Sequence, residues 1–214
     1  MILVKGHNKE NLEKSDFESL SKRFNSVILD LGTGDGRFVY KKALENPDKL
    51  FLGVDPVEKQ LRIYSKRANR KRLKNILFVL ASADDIPSEL FSKIDKVYIN
   101  LPWGTLLEKI IKGDKYFIDN LEKLLKKSGI LEITLGYTPD LEPSETKRLD
   151  LPTINKDYLV NEVSQFFNPI FLLKSIEQIK KEELGNLEST WSKKLKHGSD
   201  RDIFKMVFEK KPSI

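Results

Sequence analysis

Short apolar runs rich in β-branched residues recur along the chain from position 27 onward. Five of them cover residues 27–29, 50–54, 76–80, 96–99 and 130–135. Roughly 20 to 30 residues with a helix-like amphipathic pattern separate most neighbouring runs, and this spacing is typical of βαβ units. The pattern therefore predicts an α/β fold built around a parallel sheet.

Two further strand candidates, at 170–176 and 203–208, would close this sheet as an antiparallel pair. The prediction is a doubly wound, Rossmann-like sheet of seven strands, mostly parallel, with an antiparallel last strand. Residues 1–25 do not fit this scheme. We expect them to form an N-terminal extension, a short hairpin and a helix packed outside the sheet.

Two segments interrupt the alternation of strands and helices. Residues 137–156 follow the fifth strand and contain three prolines, which disfavour a continuous helix or central strand. A helix is predicted near 156–166, and residues 178–200 form a second insertion after the sixth strand. With 214 residues, we expect a single domain over 1–214 with both insertions on its substrate side.

The composition limits the location of the protein. Hydrophobic residues make up 39% of the chain, and its longest nearly apolar run, residues 76–83, falls well short of the roughly 20 residues of a bilayer-spanning helix. Polar residues 5–9 follow the apolar residues 1–4 at once and leave no room for a signal peptide. We expect no membrane partner and a cytoplasmic location.

The residue types narrow the chemistry. The chain has no cysteine, which excludes disulfides, thiolate zinc sites and a cysteine nucleophile. Its two histidines, His7 and His197, lie near opposite ends, which argues against a histidine base or a metal site. We therefore expect a bound cofactor to supply the reactivity. The net charge of +6 favours a polyanionic partner.

A glycine-rich turn follows the first strand, at residues 30–37, with the sequence Asp-Leu-Gly-Thr-Gly-Asp-Gly-Arg. The second strand ends in an acid, Asp55, and the third strand is followed by Asp84 and Asp85. Glycines let the backbone approach a ligand, and an acid about 20 residues on can bind ribose hydroxyls, so a nucleoside-containing cofactor is indicated. A dinucleotide fingerprint would need glycine at Arg37, which makes NAD the weaker interpretation. Ordinary turn glycines and helix-capping acids are the alternative.

Two tryptophans are candidate substrate residues. Trp103 lies in the segment 100–105, Asn-Leu-Pro-Trp-Gly-Thr, at the end of the fourth strand. DNA and RNA amino-methyltransferases often carry an Asn-Pro-Pro-aromatic motif there, and a flipped base could stack on the ring. Trp191 lies among basic residues between the last two strands. Packing behind a helix start for Trp103, and burial in an amphipathic helix for Trp191, are the alternatives.

The helix after Asp55 carries a basic strip. Residues 59–74 include eight basic residues and no acid. At about 100° per residue, five of the cations share one side of the helix, opposite an apolar stripe. The cations are Lys59, Arg62, Lys66, Arg70 and Lys74, and the stripe is Val57, Leu61, Tyr64 and Ala68. Docking on phosphates is favoured over a merely solvated face.

Taken together, these motifs resemble a known family. The acid before the glycine turn and the acid at Asp55 resemble motif I and its partner in class I S-adenosylmethionine-dependent methyltransferases. With the segments 101–107 and 190–195, the chain resembles, over nearly its whole length, the Kam/Npm aminoglycoside-resistance methyltransferases, which are 16S rRNA (adenine(1408)-N1) enzymes.

The resemblance implies S-adenosylmethionine as cofactor, with Asp30 near its amino group, Asp55 on the ribose, and Asp84 or, alternatively, Asp85 near the adenine amine. It also implies that Trp103 and Trp191 hold the flipped adenine. The implied cofactor set is Asp30, Gly32, Thr33, Gly34, Asp35, Gly36, Arg37, Asp55, Pro56, Ala83, Asp84, Asp85, Leu101, Trp103, Thr105 and Thr190.

The resemblance further implies a monomer that docks on 16S rRNA in the assembled 30S subunit. Its RNA-binding candidates are Arg62, Lys66, Arg67, Arg70, Lys71, Lys194 and Arg201. Close relatives are more basic after the position of Gly198, where this chain has Ser199 and Asp200. A tRNA guanine-N7 or other RNA methyltransferase, and a non-catalytic cofactor-binding rRNA assembly factor, are the alternative functions.

Overall fold

The computed structural model describes residues 1–180 and 201–212. Within them, nine strands form one sheet in the order β2-β1-β5-β4-β3-β6-β7-β9-β8. The strands are β1 Ile2–Lys5, β2 Asn8–Asn11, β3 Ser26–Leu31, β4 Lys49–Asp55, β5 Ile76–Leu80, β6 Ile94–Asn100, β7 Leu125–Leu135, β8 Phe171–Gln178 and β9 Phe204–Lys210. Strands β3 to β7 are parallel, and β9 runs antiparallel to both β7 and β8. The predicted α/β class and antiparallel last strand are confirmed.

Helices cover both faces of the sheet. They are α1 Lys14–Ser21, α2 Arg37–Glu45, α3 Glu58–Arg70, α4 Thr105–Lys112, α5 Lys115–Leu124, α6 Pro143–Leu149, α7 Lys156–Tyr158 and α8 Ser164–Phe167. The apolar side chains of α2 and α3 bury against one face, and those of α1, α4, α5 and α8 bury against the other. This two-sided burial explains why β3 and β4 read as almost continuous apolar runs.

The N-terminal hairpin differs from the prediction. It does not pack outside the sheet, because β1 pairs antiparallel with β5 through Leu3 and Val79, so the sheet has nine strands and not seven. Leu3 and Val4 are both 1% exposed and bury into opposite faces, as successive strand residues do. The apolar start of the chain is therefore a strand that covers an edge which β5 would otherwise leave open.

The helix α3 is shorter than its basic strip suggested. It ends at Arg70, and Lys74 lies beyond it, because Arg72 adopts a left-handed φ of 54°. The predicted apolar stripe is confirmed for Leu61, Tyr64 and Ala68, which are buried. Val57 is not part of that stripe. It precedes the first turn and is 46% exposed.

The segments after β7 and before β8 also differ in detail from the prediction. The insertion that follows β7 contains a helix, α6, which begins at Pro143, where proline fits the first turn. The helix expected near 156–166 is divided into α7, a π-helical turn at Leu159–Val163, and α8. Leu159 and Val163 in that turn are fully buried, so tertiary packing of two apolar side chains accompanies the irregular turn.

We predict that Ser65→Ala destabilises the protein by about 1 to 3 kcal/mol, because the buried Gly6 N–H then loses the Ser65 Oγ to which it donates at 3.0 Å. Urea unfolding measures the loss. Ser19→Ala is the matched control, since its hydroxyl bonds to Ser15 O at an exposed helical position and should change stability by less than about 0.5 kcal/mol. Equal stabilities of the two variants would contradict the role of this bond.

Candidate functional site

The candidate site lies where the carboxyl ends of the parallel strands meet. The strand order reverses at β3, which is flanked by β4 on one side and β6 on the other. Ligands of open α/β sheets bind at such switch points. The residue sets predicted at the ends of the first four parallel strands, around Asp30, Asp55, Ala83 and Leu101, therefore lie along one edge.

The glycine loop between β3 and α2 folds back onto β4. Gly32, Gly34 and Gly36 all have φ between 60° and 79°, in the left-handed region that favours glycine. The N–H groups of Gly32 and Thr33 both donate to Val54 O, at 2.9 and 3.0 Å. This contact holds the loop above the end of the neighbouring strand.

Asp55 fastens this loop to helix α3. Its carboxylate accepts one hydrogen bond from Gly34 N (2.9 Å) and another from Val57 N (2.8 Å). Burial raises the pKa of Asp55, while these two backbone donors act in the opposite direction. Each carboxylate oxygen has a further lone pair, so two ribose hydroxyls can still bind.

Asp30 is the most deeply buried acid of the site, at 2% exposure. Burial raises its pKa to about 7. Hydrogen bonding, including the one from Asn100 Nδ2 to Asp30 Oδ1 at 3.0 Å, lowers the pKa, and the nearby negative charge of Asp55 raises it. Among the described residues no cation contributes to the pKa of Asp30 or Asp55. Two buried carboxyl groups therefore lie in the site, and within the described part of the chain no cation stabilises their ionised forms.

Two polar residues beside Asp30 were missed by the sequence analysis. Asn100 was seen only as part of the Trp103 motif, and Thr134 is hidden in the apolar run of β7. They are register partners on β6 and β7. Asn100 Oδ1 and Thr134 Oγ1 are buried without a hydrogen-bond partner among the described residues. The structure links the three residues in sequence, because Asn100 donates to Asp30 and pairs with Thr134 across the sheet.

The acids after β5 are on the rim of the site. Asp84 forms an ion pair with Lys109 of α4 (2.8 Å), and this contact raises the pKa of Lys109. Asp85 donates its backbone N–H to Ser82 Oγ at 3.1 Å. Both side chains are exposed, and the carboxylate of Asp85 has no ion pair among the described residues. Asp85 is therefore the acid less restrained by neighbours, although Asp84 was the preferred sequence candidate.

Trp103 lies in a sharp turn between β6 and α4. Leu101 has a φ of 51°, which is strained for leucine, and Gly104 has a φ of 60°. Leu101 is buried, whereas Trp103 is 36% exposed. Thr105 is the first residue of α4 and is exposed. The turn thus keeps the indole out of the core.

Arg201, expected from the sequence among the RNA-binding residues, is largely buried. Its side chain is 10% exposed. It donates to Glu142 Oε1 at 2.6 Å and to Gly136 O at 2.9 Å. A buried guanidinium needs such partners. Arg201 therefore joins the insertion after β7 to the start of β9, and its charge is already paired with Glu142.

The insertion after β7, the end of β8 and the segment before β9 border a cleft of about 770 Å³. Its lining includes Thr138, Ile154, Gln178 and Arg201. All of these lie at the same edge of the sheet as the glycine loop, because β8 ends and β9 begins there. The cleft is a second concave surface on the candidate substrate side.

The basic strip on α3 is partly neutralised. Arg62 pairs with Glu58 at 2.6 Å, an acid that immediately precedes the acid-free segment. Lys66 Nζ lies 3.5 Å from His7 Nε2 of the hairpin. Arg67 contacts Tyr64, whereas Arg70 and Lys71 are exposed and make no side-chain contact of this kind within the described chain. Most of the positive charge that is not paired with another described side chain therefore lies in the C-terminal half of the helix.

Three predicted site residues, Thr190, Trp191 and Lys194, lie outside the described residues. Within residues 1–180 and 201–212, no group of three or more His, Cys, Asp or Glu side chains could hold a metal ion. In the same part of the chain, no helix has the length and apolar character needed to cross a membrane.

We predict that Asp30→Asn removes a pH-dependent loss of stability. An acid whose pKa rises from 3.8 unfolded to about 7 folded stabilises the fold below about pH 4, and this contribution is lost as the pH rises through 7. As the pH rises from 5 to 8, the free energy of unfolding of the variant should increase relative to that of the parent by about 2 to 3 kcal/mol. Urea unfolding without cofactor measures this. Asp140→Asn changes an exposed residue, and its stability should depend on pH as that of the parent does. A curve of stability against pH for Asp30→Asn that runs parallel to that of the parent would contradict the prediction.

Comparison with known proteins identifies the family. The family model described as NpmA, 16S rRNA (adenine(1408)-N(1))-methyltransferase, matches residues 2–209. An Escherichia coli 16S rRNA (adenine(1408)-N(1))-methyltransferase is 33% identical, covering 96% of this chain and 97% of its own. The structure of the aminoglycoside resistance methyltransferase NpmB1 is 32% identical with a TM-score of 0.82, covering 98% and 100% of the two chains. That of a 30S ribosomal A1408 methyltransferase from an uncultured bacterium is 34% identical with a TM-score of 0.80 and the same coverage. The chain belongs to the NpmA family of 16S rRNA (adenine(1408)-N(1))-methyltransferases.

Proposed function

We propose that the protein transfers a methyl group from S-adenosylmethionine to N1 of adenine 1408 in 16S rRNA and thereby gives aminoglycoside resistance. The observation that carries the proposal is the juxtaposition of two buried acids, Asp30 and Asp55, with an exposed indole, Trp103, at the switch point of the sheet. Family membership and the names of the relatives support the choice of target nucleotide.

The acids fit this cofactor through their charge. S-adenosylmethionine brings a cationic ammonium and a methyl group activated by a cationic sulfonium. In this proposal Asp55 holds the ribose and Asp30 lies near the ammonium, where a positive charge offsets the cost of ionising a buried carboxyl. The remaining proposed cofactor residues are Gly32, Thr33, Gly34, Asp35, Gly36, Arg37, Pro56, Ala83, Asp84, Asp85, Leu101, Trp103, Thr105 and Thr190.

The proposed reaction relies on positioning. Adenine N1 carries a free lone pair at neutral pH, so no side chain has to remove a proton before attack. Trp103 stacks on the extruded base and holds N1 in line, and Trp191 is proposed for its other face. Methylation places positive charge on the base, and indole faces stabilise cations. Leu101 and Gly104 both have positive φ angles, and this uncommon backbone conformation fixes the turn from which Trp103 projects.

The basic strip is the proposed docking surface for the assembled 30S subunit. Its proposed contacts are Arg62, Lys66, Arg67, Arg70 and Lys71, with Lys194. Helix α3 begins two residues after Pro56, directly beside Asp55, so RNA docked along it lies close to the cofactor site. We propose that one chain acts as a monomer in the cytoplasm, where ribosomal subunits are found.

The chain organisation is part of the proposal. Residues 1–214 act as one methyltransferase domain, in which residues 1–25 are an N-terminal extension joined to the sheet. Residues 137–156 and 178–200 are substrate-side insertions. The Arg201–Glu142 ion pair supports this arrangement, because it links the residue that follows the second insertion to the first insertion.

We predict that the protein transfers tritiated methyl groups to assembled 30S subunits and neither to short decoding-site RNA hairpins nor to tRNA. A docking surface that spreads over a helix needs phosphates at separations that only a folded subunit presents.

Asp55→Ala should lose most S-adenosylmethionine affinity, because charged hydrogen bonds contribute about 1.5 to 3 kcal/mol each. Incorporation into tRNA would support a guanine-N7 enzyme, and cofactor binding without any incorporation would support an assembly factor.

We predict that Trp103→Ala lowers turnover roughly 10- to 100-fold while the fold survives, since stacking contributes about 1 to 3 kcal/mol per base and Trp103 is 36% exposed. Trp103→Phe should retain more activity, because a smaller ring still stacks. Melting temperature and methyl transfer are measured on the same samples. The control Phe117→Ala removes a fully buried ring and should cost about 3 to 5 kcal/mol. A Trp103→Ala protein that melts like this control, or that stays fully active, would refute the stacking role.

A further inference from the structure

The loop that follows β5, residues 81–86, lies beside Asp55. Asp55 and Leu80 are register partners at the carboxyl ends of β4 and β5, and Ala81 N donates to Asp55 O at 3.3 Å. The glycine loop follows β3 on one side of β4, and β5 lies on the other side. With the ribose on Asp55 and the methionine part at the glycine loop, the base of the cofactor lies over residues 81–86. We call this segment the base loop.

The base loop lacks the support that neighbouring strand ends have. Helices α2, α3 and α4 begin shortly after β3, β4 and β6 end, whereas only a 3₁₀ turn at Ser88–Leu90 stands between β5 and β6. Within the loop, Asp85 N donates to Ser82 Oγ at 3.1 Å. Loops without a helix of their own are more mobile than the elements they connect, so contacts from another element are needed to fix this one.

Helix α5 supplies these contacts. Tyr116 Oη donates to Asp84 O at 3.2 Å, and Asn120 Nδ2 donates to Ala83 O at 3.3 Å. Lys123 Nζ donates in turn to Asn120 Oδ1 at 3.3 Å. Positions 116, 120 and 123 share one side of a helix, because residues three and four apart are neighbours. One side of α5 thus binds two consecutive carbonyl groups of the base loop.

The helix that holds the loop is itself firmly anchored. Asp114 caps its first turn by accepting from Phe117 N at 2.7 Å. The side chains of Phe117, Leu121 and Leu124 are fully buried. Asn120 is only 4% exposed, and a buried amide needs hydrogen-bond partners. One of the partners that Asn120 has is a carbonyl group of the base loop.

The two acids of the base loop differ in their freedom to bind a ligand. Asp84 is held at both ends, because its carbonyl accepts from Tyr116 and its carboxylate pairs with Lys109 at 2.8 Å. The carboxylate of Asp85 has no ion pair within residues 1–180 and 201–212. A base amine therefore can bind to Asp85 without breaking an ion pair with another described side chain.

We propose that Asn120 and Tyr116 are positioning residues for the cofactor, which hold the base loop where Asp85 accepts from the exocyclic amine of adenine. This inference rests on the proposed function for the place of the ribose on Asp55. Asn120 and Tyr116 act through the backbone carbonyl groups of Ala83 and Asp84 and do not touch the cofactor. Their loss should therefore change which base the protein prefers, in addition to how tightly it binds.

The test compares Tyr116→Phe, Asn120→Asp and the double variant with the parent in calorimetric titrations. The ligands are S-adenosylhomocysteine and S-inosylhomocysteine, in which a carbonyl oxygen replaces the adenine amine. Asn120→Asp keeps an acceptor for Lys123 and removes the donor to Ala83 O. We expect each single change to weaken binding of the adenine ligand roughly 2- to 10-fold, as the loss of one hydrogen bond does. Binding of the inosine ligand should change less than about twofold, because it has no amine for the loop to bind.

Tyr158→Phe is the matched control. It also removes a hydroxyl that donates to a backbone carbonyl, Ile111 O at 3.5 Å, but outside the base loop, so its preference for adenine should equal that of the parent. Melting temperatures are measured on all variants. Tyr116 is 56% exposed, so Tyr116→Phe keeps the fold and decides the outcome if Asn120→Asp unfolds.

Equal losses of affinity for both ligands would overturn the proposal, because they indicate a general disturbance of the site. Unchanged affinities, or a parent that does not distinguish the two ligands, would overturn it as well. Methyl transfer to 30S subunits separates this proposal from the proposed function. A parent that prefers the adenine ligand but transfers no methyl group refutes the proposed function, and the ligand preferences still decide the role of Asn120 and Tyr116.

Discussion

The carboxylate of Asp55 is the contact on which the arrangement of this protein depends. One of its oxygens holds the glycine loop through Gly34 N, and the other holds the start of α3 through Val57 N. The cofactor loop and the basic helix are thus positioned by the same buried group. Buried backbone N–H groups need acceptors, so Asp55 has a structural role in addition to the proposed contact with ribose.

Charge is distributed unevenly around this anchor. Inside the site, no cation among the described residues affects the pKa of Asp30 or Asp55, and burial shifts the pKa of Asp30 to about 7. Outside it, α3 presents cations to solvent. This separation suits a cationic cofactor within the sheet edge and a polyanionic substrate above it. At neutral pH, ionisation of buried Asp30 makes the fold less stable than it would be with a neutral residue at that position.

Sequence patterns predicted the parts of the fold and site that depend on local order. Strands β3 to β9, the glycine loop and the acids at the strand ends follow from apolar runs and turn residues that are adjacent in sequence. The pairing of β1 with β5 could not be predicted this way, because it joins residues that are far apart in the chain. The same holds for the ion pair of Arg201 with Glu142 and for the pairing of Thr134 with Asn100.

The function proposed for this site is methylation of one ring nitrogen of one nucleotide. Mass spectrometry of 16S rRNA fragments, taken from 30S subunits after incubation with the protein and S-adenosylmethionine, identifies the modified atom. We expect a single added methyl group at adenine 1408, with N1-methyladenosine as the modified nucleoside after digestion. An added methyl group on the exocyclic N6 of that adenine, on a guanine, or at another position of the RNA would contradict it.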